Sequence, residues 1–114
     1  MIQIMKFLFL LVSLCASNII NAATYYISPT GNDASGTGSI TNPWKTLKKA
    51  TSTVTTAGNI IHVNPGIYIE TVTCTLAPGV SIEGDGITSV IKASFSTTYQ
   101  MIIQAHSNEG PNGN

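Results

Sequence analysis

From position 59 onward the chain alternates short β-branched runs with tight turn signals, and few folds accept that pattern. The runs are IIHV at 60–63, IYIETVTCT at 67–75, VSIE at 80–83, SVIKA at 89–93 and MIIQA at 101–105. NPG at 64–66, APG at 77–79 and GDG at 84–86 separate them. Aliphatic residues at equivalent places in these runs recur from Val63 to Ile82 and from Ile82 to Ile103. A period of roughly 20 residues built of short strands predicts a solenoid, each coil stacked on the last. Strand faces alternate, so Ile61, Val63, Val80, Ile82, Met101 and Ile103 are expected inside, with His62, Ser81 and Ile102 in an outward row. Each buried aliphatic side chain contributes roughly 1.5–3 kcal/mol. A small antiparallel sandwich also uses short strands, but it requires tight hairpin loops that this sequence lacks. A disordered Thr-rich stalk gives its aliphatic residues no reason to alternate.

The region before the repeat has a different character. TYYIS at 24–28 reads as a strand. PTGNDASGTGSITNP at 29–43 is dense in turn formers and reads as a long surface loop. Asn42 and Pro43 suit an N-cap and a first helical position. Trp44, Leu47, Thr51 and Val54 then follow at the spacing of one helix face, with Lys45, Lys48 and Lys49 mainly on the other side. Gly58 is the expected stop, and the weak helix formers TSTVTT predict a short helix that depends on packing.

The segment from Met1 to Ala22 reads as a secretory signal. A weakly basic start leads into FLFLLVSLCA at 7–16 and then a small-residue exit, with cleavage expected after Ala22 or, next best, after Ala23. The apolar run is shorter than the roughly 20 residues of a membrane span. Leu14 is too bulky for the small residue that lipoprotein processing at Cys15 requires. In the mature chain from Ala23 onward, Lys45, Lys48, Lys49 and Lys92 face Asp33, Glu70, Glu83, Asp85 and Glu109, which leaves a small negative net charge. There is no Arg, so the basic footprint of a nucleic-acid binder is missing. Cys74 is then the only thiol, which excludes an intrachain disulfide.

Together YYISPTGNDASGTGSITNPWKTLKKA, AGNIIHVNPGIYIETV and PGVSIEGDG resemble the N-terminal segment of exported right-handed parallel β-helix proteins of the pectate lyase-like superfamily, which includes polysaccharide lyases. The resemblance spans residues 24–93. It is most specific in the strand–GND–NPW–helix opening and in V-x-P-G-x-Y at 63–68. It implies a signal peptide at 1–22, a cap of strand, Gly-rich loop and helix at 23–58, and the first two to three coils at 59–114. A capping lid shields the open core and strand edges at a solenoid end. Members of the superfamily run through many more coils, so the chain is expected to be a truncated, marginally stable and inactive part of a secreted, extracellular protein. That protein would act on uronate-containing polysaccharide, most directly as a lyase, or would serve as a non-enzymatic adhesin or glycan-binding scaffold. Its calcium and catalytic residues would lie on later coils, leaving no cofactor in this chain and no catalytic or metal-binding residue assignable here. Polysaccharide is the expected partner.

The residues present offer weak candidates for chemistry. Lys92 is the lone lysine among the coils and a nominal base for elimination; Glu83 and Asp85 are the nearest approach to a carboxylate pair. Asn32 and Asp33, or Glu83 and Asp85, can each supply two oxygens to calcium, fewer than it needs. His62 and His106 have no partner at metal-ligand spacing. Cys74 reads as a small buried hydrophobe, and Tyr25, Tyr26, Tyr68 and Tyr99 can stack on sugar rings where exposed. No P-loop, nucleophile elbow or zinc motif occurs.

Overall fold

The computed structural model describes residues 21–94 and 103–105, most of them in or between strands. The strands are β1 (Thr24–Ile27), β2 (Ile60–Val63), β3 (Gly66–Glu70), β4 (Cys74–Leu76), β5 (Ser81–Gly84), β6 (Ser89–Ala93) and β7 (Ile103–Ala105). One helix, α1 (Leu47–Thr53), lies between β1 and β2, and a short 3-10 turn (Gly86–Thr88) precedes β6. Three parallel sheets result, ordered β1-β2-β5, β3-β6 and β4-β7, with no closed barrel among the described residues. The chain therefore visits the three sheets in turn through β2, β3 and β4, then returns to each through β5, β6 and β7. Every pairing between these strands is parallel, which an antiparallel sandwich does not allow among the described residues.

Register explains where the repeat comes from. Ile60 pairs with Ser81, and Gly66 pairs with Ser89. Val63 stands over Gly84, not Ile82, and Ile103 pairs with Cys74 in another sheet. The spacing of Val63, Ile82 and Ile103 thus has nearly the right length and the wrong register. The run at 67–75 also divides in two, because the chain turns a corner at 71–73. Burial follows the expected alternation at Ile61, Val63 and Val80, while Ile82 is half-buried and Ile103 is exposed. Met101 and Ile102 lie outside the described residues, as does the apolar run at 7–16.

α1 begins at Leu47, later than expected, and Thr46 is its N-cap, accepting from the Lys49 amide at 3.1 Å. Asn42 cannot serve, because the backbone after it is committed to β1. The Trp44 amide donates to Tyr26 O (3.1 Å), and the Ser28 amide donates to Trp44 O (2.8 Å). Trp44 is consequently bridged to Ile27, and loop 29–46 blocks the free edge of β1. The Asn42 side-chain amide instead ties the loop to Ser35 O. The helix ends at Thr53, short of Gly58, where Ser52 and Thr53 hydroxyls turn back onto the carbonyls of Lys48 and Lys49.

Trp44, Leu47, Thr51 and Val54 are all buried, and α1 packs mainly on β4, then on β1 and β3. The apolar three join Ile27, Ile61, Val63, Tyr68, Cys74 and Val80 in one core. Gly38 has φ +77, and a Cβ there would fall 2.7 Å from the Trp44 ring, so the glycine lets the loop close over the indole. Gly66 has φ +144 and lies against Pro29, 2.3 Å from where its Cβ would be. Tyr68 then places its hydroxyl between Ile27 O (3.0 Å) and Asn64 O (2.7 Å). The V-x-P-G-x-Y motif is therefore a corner tied to β1 and Pro29.

Candidate functional site

The outer face of the β1-β2-β5 sheet gathers the unspent polar groups. In-register pairing aligns Tyr26, His62 and Glu83 across three strands, because each is the third residue of its strand. The GDG turn brings Asp85 to the end of this row. His62 Nδ1 lies 3.0 Å from Glu83 Oε1, and Nε2 lies 3.2 Å from Asp85 Oδ2. The imidazole is tilted at 48° to the Tyr26 ring, with centroids 5.4 Å apart. His62 keeps 21 % of its side chain exposed, against 53 % for Glu83 and 43 % for Asp85. A cavity of about 280 Å³ borders Glu83 and Gly84 on the side of Val63, Ile82 and Ile91.

The Glu83 hydrogen bond raises the His62 pKa above its ordinary 6.5; burial, the next largest effect, opposes it, and the bond and charge of Asp85 add smaller upward effects. Only imidazolium can donate to both carboxylates at once. While the ring is charged, both of its nitrogens are engaged by carboxylates, and the arrangement is a charge-paired clasp. The two carboxylates occupy opposite sides of the ring and do not converge on an ion; among the described residues no cluster of three such groups could hold a metal. The solitary His62 of the sequence thus has two partners, placed only by a register that the sequence does not disclose.

The other candidates are dispersed. Asn32 Oδ1 accepts from the Ala34 and Ser35 amides, at 2.8 and 3.0 Å. Asp33 accepts from the Lys45 and Thr46 amides (2.7 and 3.0 Å) and from the Thr46 hydroxyl (2.7 Å). The GND motif therefore fastens the loop to the helix entry. Tyr25 stacks on Trp44, with centroids 5.6 Å apart and planes 11° from parallel, and Tyr68 is buried. Burial, with a smaller effect of Asp85, pushes the Tyr68 phenol to about 12. Lys92 is exposed in β6 beside Ile69, on a different sheet from Glu83. Tyr99 and His106 lie outside the described residues.

Nothing in its sequence context marks Glu70, yet it is 2 % exposed and accepts from the Leu47 and Lys48 amides, at 2.7 and 3.3 Å. Cys74 contacts the same carboxylate at 3.7 Å. Burial first, and then Glu70, push its thiol up to about 11, which makes it an unreactive core residue.

These strands define an all-β protein of parallel sheets entered in strict succession. The chain belongs to the family described as Protein of unknown function (DUF1565), a right-handed β-helix-like domain, whose model matches residues 29–107. No curated protein and no solved structure matches the chain.

Proposed function

We propose that this chain forms the opening coils of an exported, right-handed parallel β-helix of the pectate lyase-like kind, and that it binds polysaccharide on the outer face of β1-β2-β5. The observation that carries the binding reading is the row of Tyr26, His62, Glu83 and Asp85, all partly exposed on one face of the sheet and the turn after it. An amphipathic ring next to fixed polar groups suits the apolar face and hydroxyl rim of a sugar. Elimination at a uronate needs a base and a cation at one place. Among the described residues Lys92 and the Glu83–Asp85 pair occupy different places, one on β3-β6 and the other on β1-β2-β5 and the turn after it. Binding is therefore the function these coils support best, and it serves a lyase whose catalytic residues lie on later coils or a non-enzymatic adhesin or scaffold.

Export fits the way β1 begins. The Ala23 amide donates to Asn59 Oδ1 at 3.0 Å, and the Ile60 amide donates to Ala23 O at 2.9 Å. Cleavage after Ala22 retains both bonds and replaces the amide with an ammonium donor; cleavage after Ala23 removes both.

The full chain is expressed with its leader, and the exported product is sequenced from its N-terminus and run through gels containing neutral, cationic and uronate polysaccharides. Retardation by one class is expected, with Tyr26→Ala weakening binding about tenfold. Retention by none, or an unchanged Tyr26→Ala, would overturn the binding reading. New absorbance from unsaturated uronates would restore the lyase in its place.

A further inference from the structure

We infer that His62 is a proton-operated clasp that holds Asp85 while the imidazole is charged and releases it when the proton leaves. The inference concerns regulation of the outer face and stands whether or not polysaccharide binds there. The groups facing the ring are Tyr26 from β1, Glu83 from β5 and Asp85 from the turn after β5. Imidazolium donates to both carboxylates. Neutral imidazole has a single N–H, so its other nitrogen turns a lone pair toward a carboxylate oxygen, which is repulsive at these distances.

The two carboxylates are not equally free to leave. Glu83 is the direct cross-strand partner of His62 in β2-β5, and its backbone is fixed by the ladder. Asp85 lies beyond the strand end, between Gly84 and Gly86, and Gly86 has φ +66 with open space around it. The turn has a second anchor at its far side: Ser89 Oγ accepts from the Asp85 amide at 2.9 Å and donates to Val63 O at 2.8 Å. Proton loss therefore leaves the Nδ1–H···Glu83 bond intact, breaks the Nε2···Asp85 bond and frees the Asp85 carboxylate, with the Ser89 anchor unchanged. The face gains an accessible carboxylate and loses a positive charge in one step. Any cationic group that docks beside the cavity would bind more tightly as pH rises.

The test is an NMR titration of the full chain from about pH 5 to pH 9, a range that brackets histidine ionisation. It reads the His62 ring nitrogens and the exchange of the 86–88 amides, normalised for intrinsic pH dependence. The neutral ring is expected as the Nδ1–H tautomer, with 86–88 exchange rising about threefold or more and β2 unchanged. His62→Gln should abolish the pH response of the turn. If that variant does not fold, Asp85→Asn, an exposed turn substitution, should lower the His62 titration midpoint and flatten the same response. A neutral ring protonated at Nε2, pH-independent exchange in the wild type, or an unaltered response in the variant that folds would each overturn the clasp.

Discussion

The loop and helix of residues 29–53 and the outer face of the repeat after residue 59 use their polar side chains in opposite ways. In the first region Asn32, Asp33, Ser39, Asn42, Trp44, Thr46, Ser52 and Thr53 all bond to backbone, stitching the loop over β1 and onto α1. In the second, Glu83, Asp85 and Lys92 project outward from β5, from the turn after it and from β6, and the two carboxylates meet His62 instead of backbone. The Ile67 and Ile69 side chains also stay exposed there. The difference separates recognisability from chemistry. The opening motifs that make the chain look familiar are the internal wiring of a lid, while the groups available to a ligand come from β1 and the plainer repeat.

The comparison breaks most sharply at Trp44. Its indole donates to Gly36 O at 2.9 Å, stacks on Tyr25 and fills the space that Gly38 leaves. Trp44→Ala should cost about 3–5 kcal/mol, read as a fall in the urea midpoint. A loss below about 1 kcal/mol would mean that the lid contributes little to the core beneath it.

The fold is largely legible in the sequence because strand periodicity and turn chemistry are local. β6 falls on the expected 89–93, and β2 on 60–63. The helix start departs from expectation because Asn42-Pro43 is a locally good cap, whereas the bridge of Trp44 to Ile27 is a tertiary fact. The site is far less legible. His62 and Asp85 are far apart in the chain, and only the pairing of His62 with Glu83 across β2-β5 brings the three side chains together. Aligning Val63 with Ile82 instead of Gly84 moves every outward partner by two positions, which puts Ser81 where Glu83 belongs. Glu70 is invisible for a related reason: its partners are amides at a helix start that local capping signals place too early.

Glu70 joins the two regions, and a smaller effect sharpens the comparison there. Glu70→Gln retains one acceptor and should cost about 1–3 kcal/mol, because a helix amide loses its charge-assisted bond in a buried site. Cys74 reports the same contact independently. Its thiol, pushed up to about 11, should react with iodoacetamide far more slowly than a free cysteine at about pH 8. Glu70→Gln should accelerate the reaction, both by removing the negative charge beside the sulfur and by loosening the lid. Unchanged alkylation together with unchanged stability would show that the lid and the repeat are not coupled through this carboxylate.

The smallest effect lies on the exposed face. Glu83 and Asp85 are each more than a third exposed, so solvent screens their pairing with His62, and His62→Gln should cost less than about 1 kcal/mol. Its pH dependence carries the information. The folded-state pKa of His62 is raised above the ordinary 6.5, so protonation favours the folded chain. That contribution is fully present below about pH 6.5 and is lost as pH rises through the raised folded value. Wild type should therefore exceed His62→Gln in melting temperature on the acid side of this window, with the two converging above it. Salt should shrink the acid-side gap as it screens the exposed pairs. A gap of constant size at every pH would assign His62 to packing against Tyr26 and remove the charge pairing from the outer face.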